Sequence, residues 1–267
     1  MTGVPARLGR STAGEAGYVP FPVSLDRYVA AISFAMLSAI ACAPVTDNRL
    51  YDPESAEFRT ALVLPLNVMA AMPEEFQGRS DRVEAALHDY LRAHGRRVQI
   101  LGYAESRSAW RASVDDCRRQ QRDCDDFAVP ARFLALGLRE GRDHDLLIVP
   151  YLRFHLAENC TEHVHWDGVE RPVEKSGVGL HPGRPVDIRH VEMRAVSLEI
   201  YALTRDGDKA FEGDGGLEVV DRLRATQGDE VIVAEPRDDL FENGDWLREG
   251  VAVALAPLIP RGDASAD

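Results

Sequence analysis

The sequence predicts an α/β fold. It reads as one three-layer-like domain with a mixed sheet, opened by a β-α-β unit, continued by a late antiparallel hairpin and closed by a C-terminal helix. Three observations carry this. Apolar runs at 61–64 and 98–101 bracket a stretch of helical period. Leu146-Leu147-Ile148-Val149 is continuously apolar, as in a strand covered on both faces. Asp206-Gly207 is a hairpin dipeptide that follows the alternating Val196, Leu198 and Ile200.

Each element has its own local reason. The run Ala61-Leu62-Val63-Leu64 stops at Pro65, which suits a short buried strand. Ser80 can cap a helix whose apolar positions are Val83, Ala86, Leu87, Tyr90 and Leu91, with Gly95 placed for a left-handed C-cap. Val98-Gln99-Ile100-Leu101 is the next strand, and a strand-helix-strand order favours parallel pairing. A second helix is expected from Ser106 or Ser108, with Trp110, Val114 and Cys117 on one face. Pro130 opens a third, carrying Phe133, Leu134 and Leu138 and closing at Gly141. In the central strand, Leu152, Phe154 and Leu156 then alternate with Tyr151, Arg153 and His155, so it ends half exposed. Residues 158–190 are polar and read as a loop or hairpin excursion. A phase slip between Met193 and Val196 predicts a β-bulge near Ala195. Residues 214–236 are ambiguous, with a strand at 231–233 the best candidate. Asn243 or Asp245 caps a last helix bearing Leu247, Val251, Ala254, Leu255 and Leu258, and Pro260 ends it.

Charge narrows the function classes. Apolar residues make up 45% of the 267, enough for a sizeable core. Lys and Arg total 31 against 44 acidic residues, a formal charge of −13, which argues against a nucleic-acid partner. Residues 1–41 carry three arginines and two acids, so the remainder carries −14.

No charged residue lies between Arg27 and Asp47. The apolar part of this stretch has the length of a signal-peptide core and is short for a membrane span. Small residues crowd its end, and Cys42 follows Ala41 directly. The arrangement resembles a bacterial lipoprotein lipobox, with Ala39, Ile40 and Ala41 preceding Cys42, although Leu is the usual residue at the position of Ala39. The resemblance implies a diacylglycerol on the Cys42 thiol, cleavage before it, and stable membrane anchoring through several acyl chains. Ala43 in place of Asp then implies outer-membrane sorting, facing the periplasm, with the inner membrane as the alternative. The leader is unusual, with Arg7 and Arg10 far from the apolar run and Asp26 beside Arg27, so a start downstream, such as Val23, is expected. An uncleaved signal anchor is the competing reading. The resulting organisation is signal peptide at 1–41, lipidated Cys and tether at 42–58, α/β domain at 59–260 and a disordered tail at 261–267.

The order of elements resembles the compact α/β domain of certain envelope lipoproteins, among them CsgG and LpoB, and the N-terminal domain of TolB. The residues that carry the likeness are Leu62-Val63-Leu64-Pro65-Leu66, Asp145-Leu146-Leu147-Ile148-Val149, the strand and turn at 197–207, and the terminal helix at 246–260. The resemblance implies a non-catalytic domain that binds or helps assemble another envelope component. It does not extend to pore formation, because 158–190 lacks a lipid-facing apolar stripe.

Signatures of catalysis are few. The chain has no Walker A loop, no G-x-S-x-G, no H-E-x-x-H and no C-x-x-C. His163 and His165 share one face of a strand and suit Zn²⁺, with Cys160 or His155 as a third donor. No cofactor is expected on the first reading. The alternative is a metal-dependent envelope enzyme using the region from His155 to His165. Cys117 and Cys124 lie too far apart for a disulfide in unbroken helix, so a bridge requires the helix to end near Gln120-Gln121.

Overall fold

A computed structural model of the chain describes residues 50–51, 57–160, 163–176, 191–225, 232–256 and 258–259. The expected leader, Cys42 and the tail beyond 260 lie outside the described residues. Within the expected tether, Leu50–Tyr51 form a two-residue strand, β1, antiparallel to residues 211–212. This segment is therefore docked over part of its length, because its backbone completes the edge of the sheet.

The opening unit is β-α-β. β2 (Thr60–Val63) and β3 (Arg97–Ile100) are parallel, joined by α1 (Ser80–Ala93). Val83, Leu87 and Leu91 of α1 are fully buried, and Gly95 takes φ 74° just past its end. Ser80 is the first helical residue and not a cap; Arg79 precedes it without a side-chain cap. α2 (Tyr103–Arg119) begins earlier than expected, straight after Gly102, and Ser106 is buried inside it. Its most buried positions are Ser106, Ser113 and Cys117, whereas Trp110 and Val114 are half-buried at the border of that face.

After α3 (Ala128–Leu138) the chain enters β4 (Leu146–Cys160), which pairs parallel with β2. All three parallel strands therefore start at one end of the sheet. Leu64 and Asn67 extend the β2–β4 contact beyond the end of β2. The Asn67 amide donates to the Pro150 carbonyl, and its side-chain oxygen accepts from the Leu152 amide at 2.7 Å. Asn67 is held at φ 53°.

Antiparallel strands complete the sheet. β4 leads to the hairpin β5 (His163–Trp166) and β6 (Val169–Pro172), so the polar excursion is a hairpin at these residues. The short β7 (Lys175–Ser176) follows. β8 (Met193–Thr204) pairs with β4 in unbroken register over 146–157, and β9 (Lys209–Val219) pairs with β8 across the Asp206-Gly207 turn. Gly207 takes φ 82° there. The irregularities lie between Val196 and Ser197 and between Ala202 and Leu203, where Leu217 and Ala210 of β9 are left unpaired. The bulge read for β8 is thus carried by β9. β8 is locked on its other side to β4, so the extra residues fall to the outer strand. The main sheet runs β1-β9-β8-β4-β2-β3, and β10 (Asp221–Ala225), β11 (Ile232–Pro236) and β7 form a second, smaller sheet.

Helices cover both faces. Ala61, Val63, Ile148, Leu198 and Ile200 pack against α1 and α4 (Gly244–Ala254). Leu62, Leu64, Leu147, Val149 and Leu203 pack against α3, with Trp110 of α2 at the margin. The side-chain oxygen of Asn243 caps α4 by accepting from the Asp245 and Trp246 amides. The predicted α/β class, mixed sheet, late hairpin and C-terminal helix all hold. Leu156, read as part of the inward-alternating set, is 64% exposed, because β4 outruns the helical layer there.

Three arginines, of which Arg171 and Arg237 are buried, tie the periphery to this core. Arg237 contacts Glu218 at 3.1 Å and Glu174 at 3.0 Å, and grips Asp239 with two nitrogens. Arg171 reaches Glu249 at 2.6 Å, and Arg194 holds Asp221 at 2.8 Å and Glu75 at 3.3 Å. Burial pushes the Glu218 carboxyl up, against the opposing pull of the Phe241 amide and Arg237.

Candidate functional site

The region from His155 to His165 divides into two unconnected constellations. The first lies on the sheet face shared with α2 and α3, beyond where those helices cover it. The β4–β8 register sets Tyr151 opposite Glu199 and Arg153 opposite Ser197. Glu199 accepts from Tyr151 and, at 2.9 Å, from Arg153. His155 Nε2 lies 3.8 Å from Glu199 and 3.1 Å from Asp167, although without an aligned hydrogen bond. Ser197 Oγ donates to the same Asp167 oxygen at 2.5 Å. Asp167 occupies the β5–β6 turn at φ 37°, and its carbonyl accepts from the Gly216 amide. Burial, then the Glu199 hydrogen bond, pushes the Tyr151 phenol far above its ordinary range. Tyr201 nearby is pushed up to about 12, chiefly by burial.

A serine, an aspartate and a histidine meet here, but the order is wrong for acyl transfer. Nucleophilic activation needs the imidazole on the hydroxyl, whereas Asp167 stands between Ser197 and His155. Ser197 is also fully buried. The network fastens the β5–β6 turn to the sheet.

The second constellation is the histidine pair in β5. His163 Nδ1 and His165 Nε2 lie 3.7 and 3.9 Å from the same Glu170 oxygen of β6. His163 is exposed and His165 is buried. The backbone register sets Cys160 opposite His163, but the Cys160 side chain lies outside the described residues. His155 belongs to the other constellation and does not join them. Among the described residues, no group of three or more His, Cys, Asp or Glu is arranged to hold a metal ion.

Cys117 and Cys124 form a disulfide with Cα atoms 6.0 Å apart. The geometry that allows it is local. α2 ends at Arg119, and Gln121 takes φ 54°, so the chain reverses between the two cysteines. The Arg122 amide donates to the Cys117 carbonyl across this reversal. The bridge anchors the C-terminal end of α2 to the segment that leads into α3.

α2 also lines two adjoining surface depressions that share Arg107 and Arg111. One of them, about 400 Å³, has Val68, Met69, Trp110 and Val114 as its apolar wall and Arg107, Arg111 and Arg118 as its cations. Tyr103 and Ile100, at the head of the same helix, are 54% and 52% exposed. A separate cleft of about 480 Å³ lies between α3 and the β8–β9 turn. The arginine face was not foreseen. Its signal in the sequence is the spacing of Arg107, Arg111 and Arg118 by four and seven residues.

No protein-family model matches the chain, and no curated protein does either. Among solved structures, a PelC dodecamer from Paraburkholderia phytofirmans aligns at a TM-score of 0.35 and 11% identity, covering 78% of this chain and 93% of that one. A point variant of the same dodecamer aligns at 0.31 and 9%, covering 75% and 88%.

Proposed function

We propose that the chain is a bacterial envelope lipoprotein, held in the outer membrane through lipid on Cys42, whose periplasmic α/β domain binds or helps assemble another envelope component without catalysing a reaction. The observation that carries the reading is the uncharged segment between Arg27 and Asp47, which ends in small residues directly before Cys42. The Cys117–Cys124 disulfide supports it, because such bonds persist in oxidising compartments. The likeness in element order to the soluble domains of CsgG, LpoB and TolB supports the binding role. β1 bears on the placement: the eight residue steps from Cys42 to Leu50 reach at most about 28 Å when extended, so the β9 edge stays close to the bilayer.

The test is Cys42→Ala, followed by membrane fractionation and mass spectrometry of the mature N-terminus. The wild-type chain should partition with membranes and carry an acylated Cys42, and the variant should lose the acyl mass and leave the membrane fraction. A variant that stays in the membrane unchanged overturns the lipid anchor in favour of a signal anchor.

A further inference from the structure

We infer that the outer face of α2 is a docking surface for an acidic segment of a partner protein, one that carries apolar side chains between its carboxylates. This deepens the binding role above by naming the chemistry of the partner, and it rests on that role but not on the lipid anchor. Four observations converge on it.

The first is charge. On a chain of formal charge −13, Arg107, Arg111 and Arg118 gather on one helix face, and among the described residues Asp115 is the one acid lining the same depression. The neighbouring acids of α2 are already engaged, Glu105 with Arg142 and Asp116 with Arg119. Among the described residues, Arg107, Arg111 and Arg118 have no carboxylate within ion-pair distance. A cationic stripe of this kind reverses the local field and steers anions to it. Guanidinium groups are also suited to bidentate capture of carboxylates.

The second is the apolar wall. Met69, Trp110 and Val114 line the same depression as the arginines, above the buried Val68, and Tyr103 stands exposed beside them. A polyanion without apolar side chains would leave this wall unused, whereas a peptide with leucine or an aromatic residue covers it. The third is extent. From Arg107 to Arg118 the helix rises about 16 Å, which fits an extended peptide of roughly five residues and exceeds a single small anion. The fourth is rigidity. The Cys117–Cys124 bridge fixes the C-terminal end of the helix, so the stripe is ordered before binding.

The experiment measures fluorescence anisotropy of a fluorescein-labelled peptide of roughly eight residues, glutamate and leucine in equal parts, with the full chain in detergent. Saturable binding is expected, with half-saturation on the order of 10–100 μM, falling several-fold when salt rises from about 50 to about 500 mM. The triple substitution Arg107→Gln, Arg111→Gln and Arg118→Gln should weaken binding at least about tenfold, with circular dichroism confirming the fold. Arg132→Gln, in the other cleft, should leave it within about twofold. No saturation by about 1 mM, equal binding by the triple variant, or polyglutamate of the same length binding as tightly as the mixed peptide would each overturn the inference. Cys42→Ala should bind the peptide like the wild type, so failure of the anchor and failure of this surface read out separately.

Discussion

Helix α4 lies so close to β9 that a single methyl group should force them apart. A Cβ on Gly215 would press against the Gly250 carbonyl oxygen and lie 2.6 Å from the Ala254 nitrogen. Both are backbone atoms of a capped helix, so neither can swing aside as a flexible side chain would. Relief to ordinary contact requires the helix to retreat by roughly 1 Å, and a gap of that size forfeits a quarter to a half of the dispersion attraction between the surfaces. The surfaces concerned are extensive, because Leu247, Val251, Ala254, Leu255 and Leu258 are all buried in the core beneath α4. Overpacking against backbone costs about 1–3 kcal/mol, and the partial loss of burial adds to it, giving about 3 kcal/mol for Gly215→Ala. For a domain of about 200 residues that corresponds to a fall in Tm of about 6–12 °C. Urea denaturation and a thermal melt measure both. Gly244→Ala is the internal control, since its added Cβ meets nothing nearer than Arg248 Nη1 at 3.7 Å, and it should stay within about 0.5 kcal/mol of wild type. If Gly215→Ala loses less than about 1 kcal/mol, or both variants lose equally, the close helix–sheet approach is not a determinant of stability.

Two further perturbations test other parts of the fold. Removing the disulfide with Cys117→Ala and Cys124→Ala together should cost about 2.5 kcal/mol by loop-closure entropy, and wild-type protein unfolded in reducing buffer should match the variant; coincident oxidised and reduced melts would show that the bridge constrains nothing. Arg237→Ala strands Glu218, which is 2% exposed, beside Glu174 and Asp239, and should cost about 3–5 kcal/mol near neutral pH. The pH sign follows from Glu218. Its carboxyl is raised on folding, so the native state binds more protons than the unfolded one, and its contribution to stability declines as pH rises. Without Arg237 to oppose that rise, urea midpoints of the variant should fall more steeply than wild type from acid toward neutral pH; a flat or reversed difference would contradict the buried pairing.

Strands buried on both faces were legible because their chemistry leaves no alternative. Leu62-Val63-Leu64 and Leu146-Leu147-Ile148-Val149 lack any polar position to turn outward, so they had to lie between two helical layers, and they do. The Asp206-Gly207 turn and the Asn243 cap were legible for a different reason: each depends on one residue's own stereochemistry. What escaped depends on partners distant in sequence. The bulges fell to β9 and not β8 because β4 grips β8 along its whole length, a constraint that no window around Ala195 contains. Asp167, Ser197 and His155 meet only when the β5–β6 turn folds onto β8, so a search for neighbouring ligands joined His155 to His165 and missed Asp167. The face of α2 was legible only in part. Its buried stripe is Ser106, Ser113 and Cys117, small and weakly polar side chains that let the helix pack closely. Cys117, expected on the inward face, is fully buried, and Trp110, seven residues before it, lies on the same stripe, half-buried against the core, while Val114 sits at the edge of that stripe. A helix that places serines on its core side while three arginines gather on its outer surface, beside a depression edged by Trp110 and Val114, has its charge arranged outward, and burial within this domain alone does not account for such a pattern.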